Sequence, residues 1–287
     1  MRLKLWGVRG SIPVPGPGCD AYGGNTSCVQ VTAGDGTELI LDAGTGIRQL
    51  GPELVSRCAN LHILLTHLHL DHIQGLMFFA PFFNPATEIT VWGPPAAGQK
   101  LRSRLARYIS TPLSPIEIRE LPAKVTFRDA PAEPWRIGGV EVRAGLVAHR
   151  GPTLGYCLTE DGQNLCYLPD HEPGLGQDLG RDPAAWISGH ALACDSSLLI
   201  HDFQYGDEDY PGHLGWGHSC LSDALAFAHR SEAQRVLMFH HDPTHEDGRL
   251  DELGREASAR WTDLGGEPGS IEPAREGDEI EVGESAR

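Results

Sequence analysis

Three histidines and an aspartate fall within six consecutive residues, His67-Leu68-His69-Leu70-Asp71-His72, directly after an apolar run. Imidazole nitrogen and carboxylate oxygen form a donor set that suits zinc, manganese or iron, and a turn at a strand end can aim several such groups at one point. Packed this closely they would repel one another when protonated and gain nothing from proximity unless a cation gathered them. The segment therefore reads as the nucleus of a metal site.

Such a turn needs strands to hold it. Alternating apolar residues predict early strands at 3–8, 28–31 and 39–41, joined by turns containing Gly, Pro and Asn. Ile47, Leu50, Leu54 and Val55 have helical spacing within 46–57, and 61–66 reads as a buried strand leading into the histidine-rich turn. A second passage follows, with a strand at 88–92, a helix at 97–109, and strands at 125–128, 140–147, 154–159 and 165–168. The last third gives a strand at 197–201, a helix at 220–230, a strand at 235–239 and a helix at 250–264. This order suits two sheets packed face to face with helices outside, an α/β four-layer αββα sandwich. No polar linker separates independent units, so residues 1–287 read as a single domain, closing in a short strand and an acidic tail expected to fray from about residue 273.

Composition excludes several classes. Forty per cent apolar residues over 287 positions can build a large core. The longest apolar run, Leu76-Met77-Phe78-Phe79-Ala80-Pro81-Phe82-Phe83, contains a proline and is far shorter than the roughly 20 residues a membrane-spanning helix requires. The N-terminus lacks a signal-peptide pattern, so a cytoplasmic location and no membrane partner are expected. Seven scattered cysteines, Cys58 among them, form no C-x-x-C pair and read as reduced thiols.

With the histidine-rich turn in place, other motifs follow in order: Asp42 in LDAGTG, His149 in VAHRG, Asp170 in CYLPDHEP and His240 in LMFHHDP. In this the sequence resembles the metallo-β-lactamase superfamily over nearly its whole length. The resemblance implies the αββα fold and a dinuclear centre, with one metal held by His67, His69 and His149, a second by Asp71, His72 and His240, and Asp170 between them. His241 is the alternative to His240. Zinc is the expected ion, with manganese and iron as alternatives. The implied nucleophile is a hydroxide bridging two divalent ions, with Asp71 helping to organise metal and water as a catalytic residue. Asp42 matches a position that supports the metal loop by hydrogen bonds. No cysteine stands among the ligand positions, which argues against antibiotic hydrolysis.

The stretch LLIHDFQYGDEDYPGHLGWGHSC resembles the ribonuclease Z and cyclic-nucleotide phosphodiesterase branch, where a loop bearing H-S-T follows an acidic strand end; here it reads His218-Ser219-Cys220. That resemblance makes His218 the general acid for a departing alkoxide, with Asp202 orienting it, while Ser219 could also cap the following helix. Arg9 and Arg150 read as structural or surface residues, with phosphate contact as their other role, and the glycine-rich stretches 7–11 and 22–28 as turns, with backbone amides facing an anion beside the metals as theirs. His62, His190, His201, His213 and His229 read as structural or solvated, and His171 as a neighbour of the site. Phe78, Phe79, Phe82 and Phe83 read as core, with a homodimer face as their other role.

A phosphodiesterase is the leading expectation, acting on a small cyclic or oligomeric phosphodiester. Hydrolysis of a thioester or lactone on the same centre, and a metal-retaining nucleotide sensor without turnover, are the alternatives. Two observations set long or structured nucleic acid aside as a partner. Net charge is −16 with histidine neutral, opposite to a broad phosphate-binding surface. Only 20 residues separate His149 from Asp170, too few for the RNA-holding arm that the resemblance places there. Residues 245–287, with 13 acidic and five basic side chains, carry −8 of that charge. Two divalent ions would make the site itself positive.

Overall fold

The computed structural model describes residues 1–57 and 59–283, so Cys58 lies outside the described residues. Its first sheet contains β1 (Arg2–Gly7), β2 (Cys28–Thr32), β3 (Glu38–Leu41), β4 (Asn60–Leu64), β5 (Glu88–Gly93) and β6 (Lys124–Asp129), interrupted by α1 (Ile47–Leu54), α2 (Leu70–Ile73) and α3 (Leu101–Leu105). The second contains β7 (Trp135–Ile137), β8 (Val140–Leu146), β9 (Leu154–Glu160) and β10 (Gln163–Leu168). After α4 (His190–Ala193) it continues with β11 (Leu198–Asp202), α5 (Leu221–Arg230), β12 (Val236–Phe239), α6 (Asp247–Asp263) and β13 (Ile271–Pro273). β14 (Glu279–Glu281) then returns to the first sheet. Strand orders are β14-β1-β2-β3-β4-β5-β6 and β13-β12-β11-β10-β9-β8-β7.

The side-chain alternation of a strand builds the layers. Leu3 and Leu5 of β1, Leu39 and Leu41 of β3, Leu165 and Tyr167 of β10, and Leu237 and Phe239 of β12 fill the core between the sheets. The intervening residues point outward. Trp6 and Ile40 pack with Ile47, Leu50 and Leu54 of α1, while Cys166, Leu168, Val236 and Met238 pack against α5 and α6. α5 buries Leu221, Ala224, Leu225 and Ala228, one helical stripe. These four layers are the expected αββα sandwich. Each fully buried Leu, Ile or Phe contributes about 1.5–3 kcal/mol, which ties every layer to its neighbours.

Three differences from the sequence reading have physical causes. The predicted helix at 97–109 is helical only over Leu101–Leu105, although Leu101, Leu105 and Ile109 keep their apolar spacing and are all buried. The tail does not fray from residue 273: Leu3 pairs with Ile280 and Lys4 with Glu279, and Ile280 and Val282 are buried in the intersheet core. The phenylalanine cluster divides, with Phe79 and Phe82 in the core and Phe78 and Phe83 exposed. The six described cysteines are free thiols. Among the described residues no helix is long and apolar enough to cross a membrane.

β3, β4, β5 and β6 run parallel, as do β10, β11, β12 and β13. Asp42 follows β3, the histidine-rich turn follows β4, Asp170 follows β10, Asp202 ends β11 and His240 follows β12. The titratable residues thus gather at the carboxyl ends of parallel strands from both sheets, where backbone turns away and side chains are left facing a cleft.

Candidate metal centre

Three groups of donors stand together, the smallest being Asp202, His218 and His240. Single nitrogen or oxygen atoms of His67, His69, His149 and Asp170 lie within 4.8 Å of one another, and so do those of Asp71, His72, Asp170 and His240. Asp170 belongs to both of these larger groups. His69 and His149 are the more exposed members, and the others are buried, so the cluster opens to solvent on one side.

Ring orientation is set from behind. His72 Nδ1 donates to Asp42 Oδ2 at 2.8 Å, His149 Nδ1 to the Gly217 carbonyl at 2.7 Å and His240 Nδ1 to Gln204 Oε1 at 3.0 Å. His67 Nδ1 lies 3.1 Å from Thr66 Oγ1. Each of these rings therefore turns Nε2 inward, the arrangement by which an outer hydrogen bond fixes the tautomer of a ligating imidazole. His69 differs, with Nδ1 facing His149 Nε2 at 3.3 Å.

The inward atoms fit a cation better than they fit each other. His72 Nε2 and Asp170 Oδ1 are 3.0 Å apart, yet both, like His67 Nε2, are buried without a hydrogen-bond partner among the described residues. Buried polar atoms left this way cost about 1–3 kcal/mol each, which a bound ion would remove. Burial lowers the pKa of His67, His69 and His149, leaving them in the neutral form that ligates. For His72 burial acts downward too, but Asp170, Asp71 and Asp42 outweigh it and raise the pKa. Burial alone would raise Asp71 and Asp170; the surrounding histidines win and hold both well below the usual carboxylate range.

Two glycines make room for this geometry. A Cβ on Gly10 would fall 2.4 Å from His240 Nδ1, and one on Gly217 would fall 2.3 Å from His149 Nδ1. Gly217 also has φ of +97°, which only glycine adopts freely.

A family model described as "Beta-lactamase superfamily domain" matches residues 37–241, the span that carries every donor named above. The chain belongs to the β-lactamase superfamily. Within the superfamily it is similar to ribonuclease Z of Haloferax volcanii, with 23% identity over 282 residues and 84% of each chain covered. It also resembles the solved structures of the metallo-β-lactamase fold protein YhfI of Bacillus subtilis and of the short form of human tRNase Z. The former has a TM-score of 0.70 and 18% identity, with 97% and 98% of the two chains covered. The latter has a TM-score of 0.65 and 20% identity, with 98% and 99% covered. The protein is a metal-dependent hydrolase.

This kinship corrects one expectation. Long or structured nucleic acid was set aside on net charge and on the short segment between His149 and Asp170, which is indeed spanned by β9 and β10 alone. Relatives named ribonuclease Z over 84% of both chains overturn that exclusion. Net charge was a poor guide because half of it sits in residues 245–287, whereas partner choice depends on the local field at the cleft.

The remaining sequence candidates fall as follows. His240 faces the cluster, while His241 turns away and donates from Nε2 to the Ala274 carbonyl at 2.8 Å. His218 sits beside the donors, its ring 5.0 Å from that of His149 and 4.9 Å from that of His240. Its Nδ1 donates to Asp202 Oδ2 at 2.7 Å. Burial would depress this imidazole, but Asp202, with Asp170 and Asp71 behind it, pushes it up to about 9. Ser219 does not cap α5; its hydroxyl donates to the His171 carbonyl at 2.6 Å. Arg9 is fully buried and ties the carbonyls of Gly23, Asp242 and His245 together.

Several supporting residues, Ser11 apart, escaped the sequence reading. Gln204 holds His240. The Ser11 amide donates to Asp71 Oδ2 at 2.8 Å. Tyr167, from the second sheet, donates its hydroxyl to Asp42 Oδ2 at 3.0 Å. Glu172 accepts from the amides of Gly215 and Gly217, both at 2.7 Å. Only their nearness to motif residues signalled them, Gln204 lying two places past Asp202 and Glu172 two past Asp170.

Proposed function

We propose that the protein hydrolyses phosphodiesters at a centre of two divalent ions, zinc foremost. His67, His69 and His149 would hold one ion, Asp71, His72 and His240 the other, and Asp170 both. When bound, such ions supply Lewis acidity and lower the pKa of water toward neutrality. The observation that carries the reading is the shared position of Asp170 in two donor groups, with its Oδ1 and the Nε2 atoms of His67 and His72 buried and unpartnered.

The chain's own residues supply the rest. The inward imidazoles, locked by Asp42, Thr66, Gly217 and Gln204, need no rearrangement to meet a cation. His218, held by Asp202, whose carboxylate raises its pKa, offers its other nitrogen as the proton donor to a departing alkoxide, a poor leaving group without protonation. Asp202 is itself fixed by donations from the amides of His171 at 3.1 Å and Gln204 at 3.0 Å. The family resemblance to proteins named ribonuclease Z supports RNA among the substrates.

Elemental analysis coupled to an aryl phosphodiester assay tests this reading. Two transition-metal ions per chain are expected, with turnover lost on chelation and restored by metal, and abolished in Asp71→Ala and His69→Ala. Undiminished turnover by metal-free protein would end it.

A further inference from the structure

The loop that delivers His218 exposes an aromatic ring. Trp216 is 52% exposed, although Gly217 and His218 beside it are buried. Its backbone is not loose. Glu172, itself buried, accepts from the amides on either side of Trp216 and from the Tyr210 hydroxyl at 2.9 Å. Arg150 Nε donates to the Gly215 carbonyl at 3.0 Å, and His149 fastens the Gly217 carbonyl. The indole thus stands on a braced loop within one residue of a group that contacts the donor cluster.

A series of rings joins it to the proton donor. Trp216 meets His213 edge-on at 4.9 Å, His213 stacks on Tyr205 at 4.4 Å, and Tyr205 meets His218 edge-on at 6.1 Å. His213 steadies the indole from one side and leaves a surface turned to water. An exposed aromatic ring two residues along the loop from His218 fits one ligand chemistry well: a nucleobase, whose π-face stacks on indole irrespective of its sequence.

We infer that Trp216 is a substrate-positioning residue whose indole stacks on a nucleobase next to the phosphodiester held at the donor cluster, so that nucleotide substrates are selected over base-free ones. This rests on the phosphodiester reading above and adds the group that is recognised beside the phosphate. Trp216 touches base, not reacting atoms, and so acts on affinity.

Two measurements on the metal-loaded protein decide it. The first compares thymidine 5′-(p-nitrophenyl phosphate) with methyl p-nitrophenyl phosphate, which share a leaving group and differ in the base. Trp216→Ala is expected to raise KM about tenfold for the nucleoside substrate with kcat unchanged, to leave the methyl substrate unaffected, and to be largely rescued by Trp216→Phe. The second records indole fluorescence with uridine 5′-monophosphate and with ribose 5-phosphate as probes. Quenching by the nucleotide alone, lost in Trp216→Phe, supports stacking. Equal KM changes for both substrates, no change for either, or equal quenching by ribose 5-phosphate would overturn it. Should no phosphodiester be hydrolysed, the phosphodiester reading fails, while the fluorescence comparison still decides the role of Trp216.

Discussion

Asp42 orients His72 directly and His67 through one intermediary. Its Oδ2 accepts from His72 Nδ1 at 2.8 Å. The same carboxylate accepts the Thr66 amide at 2.7 Å and the Thr66 hydroxyl at 2.9 Å, and that hydroxyl lies 3.1 Å from His67 Nδ1. One buried carboxylate thereby aims a histidine from each of the two larger donor groups.

Asp42→Asn isolates that charge, because φ of +58° at this position suits asparagine as well as aspartate. The variant is expected to keep its far-UV circular dichroism and lose about 10- to 100-fold in metal affinity, the usual cost of removing such a partner. Chelator competition measures this. An unchanged affinity would show that Thr66 and the fold alone suffice to aim the rings.

His218→Ala should cost about 10²–10⁴ in rate with an alkyl or phenyl leaving group and far less with nitrophenolate, which departs without a proton. Asp202→Asn should give the same pattern more weakly. Equal losses on both leaving groups would remove the proton-donating role.

Gly10→Ala and Gly217→Ala should each damage one donor group. The added methyl at 10 meets His240 and the one at 217 meets His149, so each variant is expected to bind fewer ions than the parent by elemental analysis. Full occupancy in either would mean that the backbone yields more readily than the close approach implies.

Acid stability depends on His201, fully buried with its pKa pushed down by burial to about 4 from the ordinary 6.5. The unfolded chain binds this proton first as pH falls, so the stability it contributes is complete above about pH 6.5 and is lost progressively down to about 4, on the order of 3 kcal/mol in all. Urea titrations of metal-free protein at pH 7 and 4.5 should show a smaller pH dependence for His201→Phe than for the parent. Identical slopes would exclude His201 as a contributor.

The histidine-rich turn and its placement after a strand were legible because both are local: six adjacent residues carry the donors, and Leu61, Ile63 and Leu64 mark the strand by burial pattern. Strand β7, only three residues long, was not, and of β13 and β14 a single short closing strand was expected, since β14 exists through pairing with β1 at the other end of the sequence, as Ile280 does with Leu3. Helix 97–109 was overextended for a related reason. Leu105 and Ile109 remain four apart and buried whether or not the backbone between them is helical. At the site, side chains able to hold a cation announce themselves by residue type. Gln204, Tyr167 and Glu172 act by position in space, which no spacing rule records. His240 and His241 illustrate the limit: adjacent and chemically identical, they are separated only by the φ of +60° at His240, which sends one ring into the cluster and the other toward Ala274.

The donors come from both sheets, Asp42 and 67–72 from the first and His149, Asp170 and His240 from the second. Ions bound there would clasp the open end of the sandwich as a rivet does. Free metal then acts as a folding ligand, adding about 2.7 kcal/mol when its concentration is a hundred times the dissociation constant. Scarcity of metal would idle the enzyme and also loosen the edge at which the sheets meet, so metal supply would govern how long each molecule survives as well as how fast it works.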